Sequence, residues 1–420
     1  MMLWIAVAGA ETVVGVDVER IQDALDLGET EIVLAEGRYH EDVVIPRGEV
    51  SIVADGEVEW TGTERSLTVG REASVTLEGI TFRNGGGVEV HGELLATEAA
   101  FEGLDRALRV SQFGEATTID CVFADNTSDR RGAAVDIEGV YRDVRGVFER
   151  NIADDGGAVA ARSDAQVRLE RSHFASNSAR YEGGAIDAVD STLELEGVVF
   201  EDNAAAELGG DLRVDGSTID LVEGLHCRSS APEGGVLAAD MAQATLSRTA
   251  MHGVEAPLGA AISALDGSVT LSHIHLVEVF GAGVSVGYGS LDASGSLFTS
   301  LSGPALHQEG SGHGQVSWSA IWDADLGDVG VGDGLLEAEP GLVNAAECSA
   351  EALMPTEHSP LIDAAPDGSD IGAYEVTDRV LSGGGAAPVK DSGCSTGGLV
   401  AGPVAIALLL CHSRRRKRVG

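Results

Sequence analysis

Short runs of alternating apolar and polar residues cover most of this chain. Val75-Thr76-Leu77-Glu78, Val167-Arg168-Leu169-Glu170, Leu193-Glu194-Leu195-Glu196, Ile219-Asp220-Leu221 and Val269-Thr270-Leu271-Ser272 are examples. Aliphatic residues at i and i+2, with charged or hydroxyl residues between, predict strands with one buried face. No repeat holds ten residues of helical periodicity. The runs sit inside a longer phrase, clearest over residues 148–212. Phe148 and Asn151 lead to Gly156-Gly157, Phe174 and Asn177 to Gly183-Gly184, and Phe200 and Asn203 to Gly209-Gly210. A second strand-like piece follows each glycine pair, as in Ala158-Val159, Ala185-Ile186 and Leu212-Arg213-Val214.

Self-similarity at this period marks a solenoid. Extended outward, the apolar mark falls at Phe82, Phe101, Phe123, Leu225, Met251, Ile274, Leu297 and Ile321, with gaps of 19–26 residues throughout. Strands without helices in each repeat predict an all-β, single-stranded parallel β-helix of about 11 coils. A leucine-rich repeat shares the period, but the segment after each Asn is glycine-broken and strand-like. Coils stacked about 4.8 Å apart turn equivalent residues into ladders. Asn126, Asn151, Asn177 and Asn203 are therefore expected to form an amide ladder at a turn, with the Phe marks stacked inside. Gly-Gly allows the sharp turn.

Ahead of the coils, Ile21, Ala24 and Leu25 give a short helix with one apolar face. It is expected to plug the open end of the stack, where bare strand edges would aggregate. The Ile-Gln-x-Ala-Leu helix, an Ile-Val-Leu strand and Gly37-Arg38-Tyr39-His40-Glu41 together resemble the first coil of pectin-lyase-like proteins, which implies a right-handed β-helix. The Phe-x-x-Asn…Gly-Gly phrase is similar to the repeats of polymorphic outer-membrane proteins. Glu339–Val343, Ser359–Asp363 and Asp370–Glu375 resemble the closing coil of bacterial β-helix proteins. The resemblance covers about residues 17–376 and speaks to fold; the superfamily includes lyases, hydrolases and non-catalytic adhesins.

Charge and cysteine content narrow the picture. The net charge is −41, with 27 basic and 68 acidic residues. Residues 11–393 alone carry −46, because five of the basic residues lie in 414–418. Such a surface repels nucleic acid, so no nucleic-acid partner is expected. Five cysteines do not make a disulfide framework. Cys121 and Cys227 sit about four coils, some 19 Å, apart. Cys348 could reach either only if the C-terminal segment folds back.

Residues 1–10 end in Ala8-x-Ala10, the small-residue pattern of signal-peptide cleavage, though without a basic start. The β-helix is assigned to 11–376 and a flexible Gly/Ala/Pro linker to 377–393. Residues 394–420 order a Gly-Cys394 motif, thirteen apolar residues and an Arg-rich end. That order resembles the MYXO-CTERM sorting signal. The resemblance implies processing of the tail and Cys394 as the processing or lipid-anchoring residue. Export to the cell surface or outer membrane, with membrane attachment through the tail, is expected.

Candidate chemistry is sparse. The only lysines are Lys390 and Lys417, outside the coils, so a basic catalyst would have to be Arg. Asp154-Asp155 and Gly312-His313-Gly314 look like polygalacturonase fragments, but they lie about six coils, roughly 29 Å, apart. That is too far for cooperating carboxylates. Asp154, Asp155, Glu182, Asp202 and Glu207 form an acidic edge after the Asn positions and are candidates for Ca²⁺, against the simpler reading of solvated turn residues. Trp318 and Trp322, placed on one strand face, suggest an internal stack or a sugar platform. His273 and His275 share a face and are a thin basis for a metal. No cofactor and no catalytic residue is assigned. The expectation is a monomeric, non-catalytic, adhesin-like or structural surface protein with a glycan or protein partner; the alternative is a polysaccharide lyase or glycoside hydrolase.

Overall fold

In the computed structural model the chain is a right-handed parallel β-solenoid of about 12 turns, nearly without helix. It describes residues 12–374 apart from 312 and 366. Ala8, Ala10, Cys394, the linker and the tail therefore lie outside the described residues. Among those described, no helix is long and apolar enough to cross a membrane.

Three strands per coil build three parallel sheets. One contains the aromatic ladder, in register Tyr39, Trp60, Phe82, Phe101, Phe123, Phe148, Phe174, Phe200. Ring centroids of Phe148 and Phe174 are 4.5 Å apart and the ring planes are nearly parallel, a spacing set by strand stacking. Above Phe200 the rungs are His226, Met251, Leu276, Phe298 and Ile321. The sequence marks Leu225, Ile274 and Leu297 are thus one or two residues out of register. Leu225 and Leu297 lie on the outer side of this sheet, packed beneath the C-terminal segment. The second sheet stacks Val140–Val144, Gln166–Glu170, Thr192–Glu196 and Thr218–Val222. The third stacks Val135–Ile137, Val159–Arg162, Ile186–Val189 and Leu212–Asp215.

Asn126, Asn151, Asn177 and Asn203 stack at one turn. Each amide Nδ2 of Asn126, Asn151 and Asn177 donates to the next Oδ1 at 2.9–3.0 Å, and also to a Phe carbonyl. The ladder ends where Asn203 donates to the buried carboxylate of Asp211, which also holds His226 Nδ1 at 2.7 Å and Ser229 Oγ. Asp211 stands where Ala158 and Ala185 stand in lower coils, so the polar turn and the imidazole that replaces Phe arrive together. At the third-sheet turn Gly156, Gly183 and Gly209 have φ of +59°, +65° and +67°. A Cβ on the following Gly184 would lie 2.0 Å from the Gly210 carbonyl oxygen, so no side chain fits there.

Helix Ile21–Asp26 plugs the N-terminal end, with Ile21 and Ala24 fully buried. The buried carboxylate of Glu41 accepts from the Ile21 and Gln22 amides, serving as the cap the helix otherwise lacks. Residues 340–374 do not add a coil. They fold back as a strap over the outer side of the aromatic sheet, placing Leu361 and Ile371 against Leu297 and Ala320, and Leu353 and Ala373 against Ala250 and Val277. Cys348 of the strap is disulfide-bonded to Cys227, with Cα atoms 5.9 Å apart. Cys121 is buried and free, its thiol pushed up to about 12 by burial.

Candidate functional site

The third sheet carries charge on its outer side. Its outward column reads Glu89, Arg109, Asp136, Ala160, Asp187, Arg213 from coil to coil. From Asp136 upward every position falls four residues after the first turn glycine: Gly132, Gly156, Gly183 and Gly209. The register is therefore fixed by the same turn that closes the coil. Six rungs extend the row over roughly 24 Å. Beside it, at the corner, Arg131 and Asp155 occupy adjacent rungs, and Glu182 follows.

Opposite charges pair along and across this row. Arg109 reaches Glu89 at 3.2 Å. Asp136 is clamped between Arg106 at 3.1 Å and Arg162 at 2.6 Å, and Arg162 also binds Glu138 at 2.8 Å. Arg131 pairs with Asp155 at 3.3 Å, and Arg213 with Glu182 at 3.0 Å. Asp187 is the exception. It is 2% exposed, its closest cation is Arg213 at 3.6 Å, and its Oδ1 has no hydrogen-bond partner. A separation of 3.6 Å is too long for a hydrogen bond. Burial therefore dominates and pushes this carboxyl up to about 7, against the pull of Arg213 and Arg131.

A hollow opens over these rungs, lined by Arg106, Arg131, Asp136, Asp155, Arg162 and the half-exposed ring of Tyr181, with Asp129, Arg130 and Asp154 at its margin. A broader hollow lies on the second sheet over Arg142, Gln166, Arg168, Thr192 and Glu194. There Arg168 is tied to the exposed Glu170 and Glu194, and the buried Asp143 of the same sheet does not line the hollow but points inward to Thr118 and Ser172. We take the first as the candidate site, because of these two hollows it is the one lined by a buried charged group, Asp136.

The acidic edge expected to bind Ca²⁺ is spread among arginines. Asp154 pairs with Arg180, Asp155 with Arg131, Glu182 with Arg213, and Asp202 with Arg228. The Glu207 amide bonds the Tyr181 carbonyl. Among the described residues no group of three or more His, Cys, Asp or Glu is placed to hold a metal. His273 and His275 do not share a site: His273 contacts Ser369 Oγ at 3.0 Å, while His275 is sealed under Gly372. His313 lies on the second sheet, away from Asp154 and Asp155. Trp318 occupies a corner with φ of +49° and Trp322 is exposed, so the two make no internal stack. Sequence reasoning missed Asp136, Asp187, Arg162 and Arg213. For Asp136, Asp187 and Arg213 the constant glycine offset was the available signal.

No family model matches the chain, and no curated protein matches it in sequence. Among solved structures it is similar to tailspike protein 3 of bacteriophage CBA120, at 8% identity and a TM-score of 0.41, over 75% of this chain and 57% of that one. It is also similar to the Dettilon tailspike protein (10% identity, TM-score 0.34, 68% of this chain, 63% of that one). A PL6 family alginate lyase matches at 10% identity and a TM-score of 0.33, over 87% of this chain and 59% of the lyase. The chain thus spans about three fifths of the length of these structures.

Proposed function

We propose that this protein is an exported, adhesin-like surface solenoid that holds a saccharide polymer along the charged row of its third sheet, without cleaving it. The observation that carries the reading is the set of partly exposed guanidinium and carboxylate groups, Arg131, Asp155 and Arg162, that lines the hollow beside Tyr181. Hydroxyl groups both donate and accept, and fixed rows of paired donors and acceptors suit them. An exposed tyrosine ring supplies an apolar face for a sugar ring. Export is supported by the Cys227–Cys348 disulfide, which persists in oxidising compartments. Anchoring through the tail and Cys394 belongs to the same proposal.

A second reading, glycosidic bond cleavage, has one observation in its favour: the Asp187 carboxyl titrates near neutrality, as a general acid would. Against it, both Asp136 and Asp187 are closed off from solvent. Incubation of the protein with neutral and acidic polysaccharides separates the two. Retention on a polymer with no new reducing ends or unsaturated products is expected. New ends, abolished by Asp187→Asn, would replace binding with catalysis.

A further inference from the structure

The hollow beside Tyr181 has a neighbour toward the N-terminal end. There a second hollow opens over Gly85, Gly86 and Gly103, with Asp105 and Thr127 on its upper side and Thr63, Glu64 and Arg65 on its lower side. The two adjoin, because Glu89 of the lower hollow pairs with Arg109 of the upper one at 3.2 Å. Turn length explains the recess. Between the aromatic sheet and the third sheet, Phe82 to Val88 and Phe101 to Leu108 leave five and six residues for the turn, whereas Phe123 to Val135, Phe148 to Val159 and Phe174 to Ile186 leave ten or eleven. The long turns begin with the coil of Thr127, and the two short-turned coils beneath it form a bay.

The bay is shut at its lower end. Residues 62–66 lean onto the short turn of the next coil: Ser66 Oγ donates to the Gly86 carbonyl at 2.8 Å, and a Cβ on Gly86 would lie 1.8 Å from the Glu64 carbonyl oxygen. The Asp42 carboxylate fastens this loop, accepting from the Thr63 amide at 2.6 Å and the Glu64 amide at 3.3 Å. Gly62, Gly86, Asp105 and Thr127 are bridged rung by rung, so roughly 14 Å separates the loop from the first long turn. A chain passing straight through would have to displace residues 62–66 and break their bonds to Asp42 and Gly86.

We infer that this bay is a socket for the terminal sugar of the polymer and that residues 62–66 are its end stop. The inference rests on the saccharide-binding reading above and adds that the chain is held by one end. A terminal ring carries a free hydroxyl that an internal ring has spent on its linkage. The carboxylates of Glu64 and Asp105, the Arg65 guanidinium and the Thr127 hydroxyl line the bay as acceptors and donors for it.

The test uses the full chain with soluble xylan, mannan, amylose, pectate and alginate, each intact and after partial hydrolysis. Hydrolysis to about a tenth of the length multiplies chain ends about tenfold at constant mass, so for a polymer that binds, half-saturation is expected at about tenfold lower mass. Asp105→Trp, a change at an exposed position that fills the bay, should abolish the gain without lowering the thermal midpoint. Asp42→Ala, which frees the stop, should abolish it too. A half-saturating mass that stays level or rises on hydrolysis, or a gain that persists in Asp105→Trp, overturns the end stop and leaves saccharide binding standing. No binding to any of the polymers, intact or hydrolysed, overturns both.

Discussion

Individual side chains in this protein are chosen by their rung. Asn177 donates to Asn203 and to the Phe148 carbonyl while accepting from Asn151. Asn177→Ala should cost about 2–3 kcal/mol, because it strands buried amide groups on both sides. Chemical unfolding monitored by circular dichroism measures it. Such positions were legible, because ladders repeat the same residue. Asp187 was not. The glycine offset marks its rung, but its neighbours in register are Ala160 and Arg213, so no repeated residue type announced its chemistry, and its consequence depends on burial. The native state holds a proton on Asp187 up to about pH 7, whereas the unfolded chain releases it near 3.8. Its contribution to stability is therefore present below pH 4 and lost as pH rises toward 7. Asp187→Asn should stabilise the protein at pH 8, on the order of 2 kcal/mol, and do little at pH 4. A loss of stability at pH 8 would show that Arg213 and Arg131 outweigh burial.

At the scale of elements, the strap explains where sequence reading slipped. Strands covered on one side alternate cleanly, and the middle coils do so. Under the strap the aromatic sheet is buried on both sides, so apolar residues appear on both faces and the register mark drifts to Leu225, Ile274 and Leu297. Long-range cover is invisible to a local period. Only Cys348 hinted at the fold-back. The strap also seals His275, whose imidazole is driven down to about 3 by burial. The unfolded chain protonates this group near 6.5, so its stabilisation is complete above pH 6.5 and lost as pH falls toward 3. Other titratable groups in the seam include His252, which bonds the Ala345 carbonyl and faces Glu278, and His273, which bonds Ser369 near Asp367. Hydrogen exchange at pH 4.5 should show the amides of residues 350–374 opening before those of the Phe148–Phe200 coils, and earlier still after reduction of Cys227–Cys348. Uniform opening would deny the strap its separate stability.

For the whole molecule, charge and topology have to be taken together. A chain with 27 basic residues and net charge −41 would be expected to show an evenly acidic surface. Instead Arg106, Arg109, Arg130, Arg131 and Arg162 gather around one hollow. Composition cannot show this, because these residues come from three successive coils and meet only when the glycine turns bring them into register. The fold was therefore largely readable, from the period and the Gly-Gly turns, whereas the candidate site was not. The most direct test of the saccharide row is a glycan-binding screen of the full chain, repeated with Tyr181→Ala and with Arg168→Ala on the second sheet as control. At least one polysaccharide ligand is expected, bound about tenfold more weakly by Tyr181→Ala and equally well by Arg168→Ala. No ligand across the screen, or a ligand lost with Arg168 and indifferent to Tyr181, would contradict it.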